Sequence, residues 1–327
     1  MAENQVLAPE EIQQRADEKS ALKHILIKLA IFAAALALNQ LVVSYAFLYG
    51  AVLLGAKSLS GDSLYFVSLI INALAAYVFP TLALVAIFRS ERENMPVLKK
   101  YDGFRSFEIP IFFTAMIFVG SLASIIANII ADWLNFLFGT GEITDALQSI
   151  APEGEMSYWF FMFFVCIVAP VCEELIFRRL LLLPLRRCGD GFAVIVSALI
   201  FGIYHGNFDQ LPNAVAVGVF LALIDVRANS IVPSLILHVA NNTFVSFYNY
   251  TTKIFGSSSF TQTLDNVLSG AYTILFWGGI AALFYMVLTG YFSFEKRGAL
   301  SPHEKTRVIF RSPALYIGIV LMAVLMF

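Results

Sequence analysis

The chain has 327 residues, 59% of them hydrophobic and only 13% charged, against roughly 25% charged residues in an ordinary soluble domain. With a mean hydropathy of +0.78, that composition excludes a soluble globular protein and points to an all-α, polytopic transmembrane helical bundle. A net charge of −2 leaves no basic field for nucleic acid, and Cys166, Cys172 and Cys188 lack metal-ligand or disulfide spacing, so they read as inert packing residues.

The first 20 residues are polar and acidic, unlike the start of a secretory signal, and the apolar run from Ile25 is too long for one, so it reads as a mature span. Residues 13–28 suggest a helix lying on the membrane surface. Hydropathy then places spans near 25–54, 64–88, 109–138, 158–185, 192–205, 213–226, 230–250, 267–292 and 313–327. The fifth, sixth and ninth are short for about 30 Å of hydrocarbon, so they read as tilted, partly buried in protein or joined as a re-entrant pair, and the count is eight or nine. The chain divides into a polar cytoplasmic N-terminal segment (1–20), three N-terminal spans (21–155), a polar core region (156–250) and C-terminal spans with a basic loop (251–327). Placing the N-terminus in the cytoplasm leaves only Lys57 and Lys253 of the 21 Lys and Arg on the far side. That far side also receives the acidic loop 139–157. Such loop charges suit a bacterial inner membrane or an endoplasmic-reticulum membrane, and the first is expected here.

Ionisable side chains at membrane depth need a partner, water or a chemical role. In the stretch Val171-Cys172-Glu173-Glu174-Leu175-Ile176-Phe177-Arg178 the spacing pairs Glu174 with Arg178 at i and i+4. Glu173 points about 100° away, which leaves it as the free carboxylate and the expected general base. His205 follows in Phe201-Gly202-Ile203-Tyr204-His205. His238 and Asn242, also at i and i+4, put an imidazole and an amide on one helix face, with Ser234 extending the stripe. Counting about 1.5 Å per residue from the cytoplasmic ends puts Glu173, His205 and His238 roughly 16–21 Å deep, so the three can meet. This requires the fourth helix to run on through 180–185. Asn39, Gln40, Asn72, Asn128, Asp132 and Asp225 lack such company and read as packing or interface groups, while Met and Phe runs read as lipid-facing bulk. Each polar position alone has a plain structural explanation as interhelical glue. Four of them at matching depth on three spans favour a catalytic site.

These residues resemble the CPBP family of intramembrane proteases, also called the CAAX prenyl protease or Abi family. Its pattern of paired glutamates with an arginine, then Phe-x-x-x-His, then His-x-x-x-Asn, stands here as Glu173-Glu174-x-x-x-Arg178, Phe201-x-x-x-His205 and His238-x-x-x-Asn242. The likeness covers roughly 158–250. It implies a helical membrane endopeptidase in which Glu173 and His205 activate water and His238 and Asn242 polarise the scissile carbonyl. The implied partner is a peptide or protein substrate at the membrane, of prenylated CAAX type or related to bacteriocins. The same resemblance keeps a catalytic zinc on Glu173, His205 and His238 open, while the lack of an HExxH helix favours a metal-free glutamate mechanism. The competing readings are a catalytically silent membrane scaffold or immunity protein, which the intact motifs disfavour, and a proton-coupled transporter, which should show two similar halves.

Overall fold

The computed structural model describes residues 8–53, 69–71, 73–90, 105–138, 155–206, 210–294 and 299–324. Among these residues there is no strand, and the fold is the expected all-α polytopic bundle. Ten helices follow one another: α1 (Pro9–Leu53), α2 (Leu69–Ile87), α3 (Ile109–Phe138), α4 (Tyr158–Cys188), α5 (Asp190–Tyr204), α6 (Leu211–Ala228), α7 (Ile231–Phe255), α8 (Ser259–Leu288), α9 (Pro302–Phe310) and α10 (Pro313–Val324). Most of the acidic loop 139–157, together with Lys57, Lys296 and Arg297, lies outside the described residues.

Six of these helices are long and apolar enough to cross a membrane, with α5 and α10 as shorter apolar ones. The helix α7 has the length, at 25 residues, but Asn241, Asn242, Asn249 and several hydroxyls dilute its apolar character. The sixth helix is the axle of the bundle. Its most apolar stretch is 67% buried, against 12% for α2, because α3, α5 and α7 all pack on it. The short α5, at about 22 Å, need not meet lipid on all sides because α6 covers it. That pairing is close. A Cβ added at Gly202 of α5 would stand 2.3 Å from Val215 Cγ2 of α6.

Around this centre α8 packs along α3, and α1 packs on α2 and α10. Not all phenylalanines face lipid as expected. Phe32, Phe88, Phe112, Phe177 and Phe201 lie in the core, whereas Phe136 and Phe163 are exposed. Helix-helix contact within the bundle needs bulk as much as the lipid face does.

Two helices share a local device. In α2 the chain opens into a π-turn over Leu74–Val78, where Phe79 N–H donates to Leu74 O. The next donor in that register would be residue 80, but Pro80 has no N–H. Asn39 of α1 takes the orphaned carbonyl instead, its Nδ2 donating to Ala75 O at 3.1 Å. The same sequence of events occurs in α4. After the π-turn Phe164–Val168, Ala169 N–H bonds Phe164 O, Pro170 cannot bond Val165, and Asn242 of α7 donates Nδ2 to Val165 O at 3.0 Å. A buried carbonyl without a donor is costly, so each proline carries a neighbouring asparagine with it.

The expected cytoplasmic cations are not all at a wet edge. Arg186 is buried, donating Nε to Asp190 Oδ1 at 2.7 Å and Nη1 to Asn229 Oδ1 at 2.9 Å. Arg227 donates to the carbonyls of Gly290, Tyr291 and Ser293, just past the end of α8. Asn229 closes α6 in a left-handed conformation (φ 47°) and Ser230 opens α7, accepting from Val232 N–H. The helix expected over 13–28 is the first part of α1, continuous with the span. Its Arg15 pairs with Glu304, and its Glu18 lies 2.9 Å from Lys305 Nζ, both on α9.

Candidate active site

The fourth helix runs on through Leu185 to Cys188, as the depth argument required. Five and six residues past its first π-turn it carries Glu173 and Glu174, both buried. Glu174 Oε2 accepts from Arg178 Nε at 3.2 Å, and Arg178 in turn donates Nη1 to Ser197 Oγ of α5 at 2.9 Å. Arg178 and Glu174 are fully enclosed. At that depth the attraction of the pair and its hydrogen bonds must offset the removal of both charges from water.

His238 of α7 stands between the two glutamates. Its Nδ1 lies 3.0 Å from Glu174 Oε1, and its Nε2 lies 3.6 Å from Glu173 Oε2. A carboxylate only accepts, so Nδ1 carries the proton toward Glu174, and Nε2 is the nitrogen that faces Glu173. His205, at the end of α5, repeats the logic: its Nδ1 donates to Phe201 O at 2.8 Å, which turns Nε2 outward for chemistry. Phe201 packs edge-on against both imidazoles, with ring centroids 4.8 Å from His205 and 5.7 Å from His238. The Arg178 guanidinium lies over the same ring at 5.5 Å.

Glu173 is not the free carboxylate that helical geometry alone suggested. Tyr77 of α2 donates its hydroxyl to Glu173 Oε1 at 3.2 Å. The 100° between adjacent residues does separate the two glutamates, yet both reach one imidazole because its nitrogens face opposite ways. Asn242 also differs from expectation. One amide N–H is committed to Val165 O, and its Oδ1 accepts from Asn241 Nδ2 at 3.2 Å. A second N–H remains for a ligand. Ser234 is buried, donating to Ile231 O at 2.9 Å.

The expected residues therefore fall into one network and two satellites. Ser197, Arg178, Glu174, His238, Glu173 and Tyr77 form an unbroken polar chain across α5, α4, α7 and α2. His205 and Asn242 join Glu173 and His238 in the lining of one cleft of about 540 Å³. Tyr77 and Ser197 escaped the reading of the sequence. A lone tyrosine inside an apolar span close before a proline was the available signal for the first; a serine on an apolar helix carries none. Among the described residues no three His, Cys, Asp or Glu side chains stand close enough to hold one metal ion. The zinc reading of Glu173, His205 and His238 has no preformed ligand set in this arrangement.

Residues 155–244 match the family described as Type II CAAX prenyl endopeptidase Rce1-like. The chain is 32% identical over 95 residues to the membrane-embedded CAAX protease MroQ of Staphylococcus aureus (strain USA300), covering 27% of this chain and 38% of that protein. It is 30% identical over 111 residues to YdiL of Bacillus subtilis (strain 168), whose designation as a membrane peptidase is provisional, covering 34% of this chain and 45% of that protein. The chain thus spans less than half the length of these relatives. No solved structure matches it.

Proposed function

We propose that the chain, whose residues 155–244 match the family described as Type II CAAX prenyl endopeptidase Rce1-like, is an intramembrane endopeptidase of the CPBP type working by glutamate-activated water. The observation that carries the reading is His238 held between a paired glutamate and an unpaired-by-arginine one. Glu174, fixed by Arg178, orients the ring at 3.0 Å; Glu173, 3.6 Å from the other nitrogen, opens into the cleft.

Glu173 accepts a proton from a water in the cleft, and the resulting hydroxide adds to the carbonyl carbon of the scissile bond. His205 Nε2 holds that water from the other side. The oxyanion forms beside the spare Asn242 N–H, and beside His238 once Nε2 has taken over from Glu173 the proton that later goes to the leaving amine. A positioned donor at a developing oxyanion is worth about 3–4 kcal/mol. Glu174 stabilises the imidazolium through Nδ1–H, as a carboxylate does for a catalytic histidine elsewhere. Collapse breaks the C–N bond, the proton goes to the leaving amine, and the products are a new carboxyl and a new amino terminus. The substrate in this reading is a membrane-associated polypeptide, and the N-terminus lies on the cytoplasmic side of a bacterial inner membrane.

The test is a mass-spectrometric comparison of membrane peptides incubated with purified wild-type protein and with Glu173→Ala in the same detergent. New termini made only by the wild type are expected. Identical peptide sets from two folded proteins would return the network to a structural role.

A further inference from the structure

A second cavity, of about 150 Å³, lies between α1, α2 and the end of α5. Its lining alternates with that of the cleft along the chain. On α2, Ala75 and Ala76 line this cavity while Tyr77 lines the cleft; at the end of α5, Tyr204 and Gly206 line it while His205 lines the cleft. Successive residues of a helix point in different directions, so Tyr77 and Tyr204 stand at the wall between the two spaces. Tyr77 holds Glu173 Oε1 from that wall at 3.2 Å. Tyr204 is within electrostatic reach of both Glu173 and Tyr77.

The cavity has the room and the polar groups that water needs. At about 30 Å³ per molecule it admits several waters, each of which wants roughly two to four polar partners. Two amides of α1 supply them, Asn39 and Gln40. Asn39 commits one N–H to Ala75 O and keeps a second N–H and its carbonyl. Tyr204 adds a hydroxyl that is enclosed and has no hydrogen-bond partner among the described residues, a costly state for a polar group. No Lys, Arg, Asp or Glu among the described residues lines the cavity, which suits neutral water rather than an ion.

Peptide hydrolysis consumes one water for each bond cut, its oxygen going to the new carboxyl and a hydrogen to the new amine. A polypeptide lying in the cleft covers Glu173 from that side. We infer that the second cavity is a water store for Glu173, filled along Asn39, Gln40 and Tyr204 and emptied past Tyr77, so that the base is resupplied while peptide still occupies the cleft. The inference rests on the endopeptidase reading above and names the source of its water. Asn39, Gln40 and Tyr204 are positioning residues in this role.

The experiment is hydroxyl-radical footprinting of the purified full chain in detergent, read by mass spectrometry, because radicals made from water label the rings that ordered water touches. Tyr204 should be labelled at least about fivefold faster than Phe177, the enclosed ring 5.1 Å from it. Gln40→Leu, at an exposed position of α1, and Ala76→Leu, which fills the cavity, should each remove most of the Tyr204 label with an unchanged gel-filtration profile. Both should lower kcat for peptide cleavage at least about threefold while leaving KM in place. Tyr204 labelled no faster than Phe177 overturns the inference, since a cavity occupied by detergent or lipid chains gives that result. A label that survives both variants overturns it too, as does a kcat that neither variant changes. Labelling needs no cleavage, so a dry Tyr204 in a protein that still cuts peptides rejects the water store alone. A wet Tyr204 in a protein that cuts nothing rejects the protease reading alone.

Discussion

The Tyr77 hydroxyl donates to Glu173 Oε1 at 3.2 Å, joining α2 to α4. It fixes the carboxylate that faces the cleft from a helix outside residues 155–244. A hydrogen bond to a charged group is worth about 1.5–3 kcal/mol. Tyr77→Phe keeps the ring and its tilted contact with Phe164 but lets Glu173 turn, so peptide cleavage should fall roughly 10- to 100-fold with little change in thermal unfolding. Peptide-cleavage kinetics with the purified variant check this; an unchanged rate would show that Tyr77 does not position the base.

Glu174 and Arg178 act on stability first. Arg178→Met leaves Glu174 enclosed without its cation and should cost about 3–5 kcal/mol, read as a large drop in unfolding temperature in detergent. Glu174→Leu combined with Arg178→Met removes both charges and should recover most of that stability. The double variant should remain inactive, because His238 has lost the acceptor 3.0 Å from its Nδ1. An active double variant would contradict the orienting role of Glu174.

Asn242 serves the carbonyl that Pro170 leaves bare. Asn242→Leu should destabilise the protein by about 1 kcal/mol, the cost of a half-buried acceptor that loses its donor. Adding Pro170→Ala supplies the missing N–H and should restore most of the stability. Activity separates the two roles: restored stability without restored cleavage is the outcome expected if the second Asn242 N–H also serves the oxyanion. Full recovery of cleavage would confine Asn242 to structure.

The contact between α1 and α9 should be acid-sensitive. Glu304 closes the Ser301 capping box and pairs with Arg15. The backbone and side-chain donors around it hold its carboxyl at about 2, well below the usual carboxylate range. A depressed folded pKa stabilises above the unfolded value near 4.3 and loses that contribution as pH falls through about 2. Hydrogen exchange in 9–20 should therefore stay slow at neutral pH and accelerate between about pH 4 and pH 2, and Glu304→Gln should exchange faster already at neutral pH. Identical exchange in wild type and variant would remove Glu304 from the docking.

Much of this was legible in the residues alone. Hydropathy placed the spans, and helical spacing paired Glu174 with Arg178, because an i,i+4 relation is set by one helix's own geometry. Rise per residue predicted that Glu173, His205 and His238 could meet, and the three line one cleft. Three short motifs pointed to the protease family, which the match over 155–244 supports.

Contacts between helices needed the tertiary structure. No periodicity announces that Tyr77 reaches Glu173 across 96 positions, that one imidazole spans two adjacent glutamates, or that prolines in α2 and α4 each hand a carbonyl to an asparagine on another helix. Sequence determined which side chains share a face and a depth, because those follow from backbone geometry and the solvent. Which faces meet depends on how all the helices pack at once, and only the folded chain decides that.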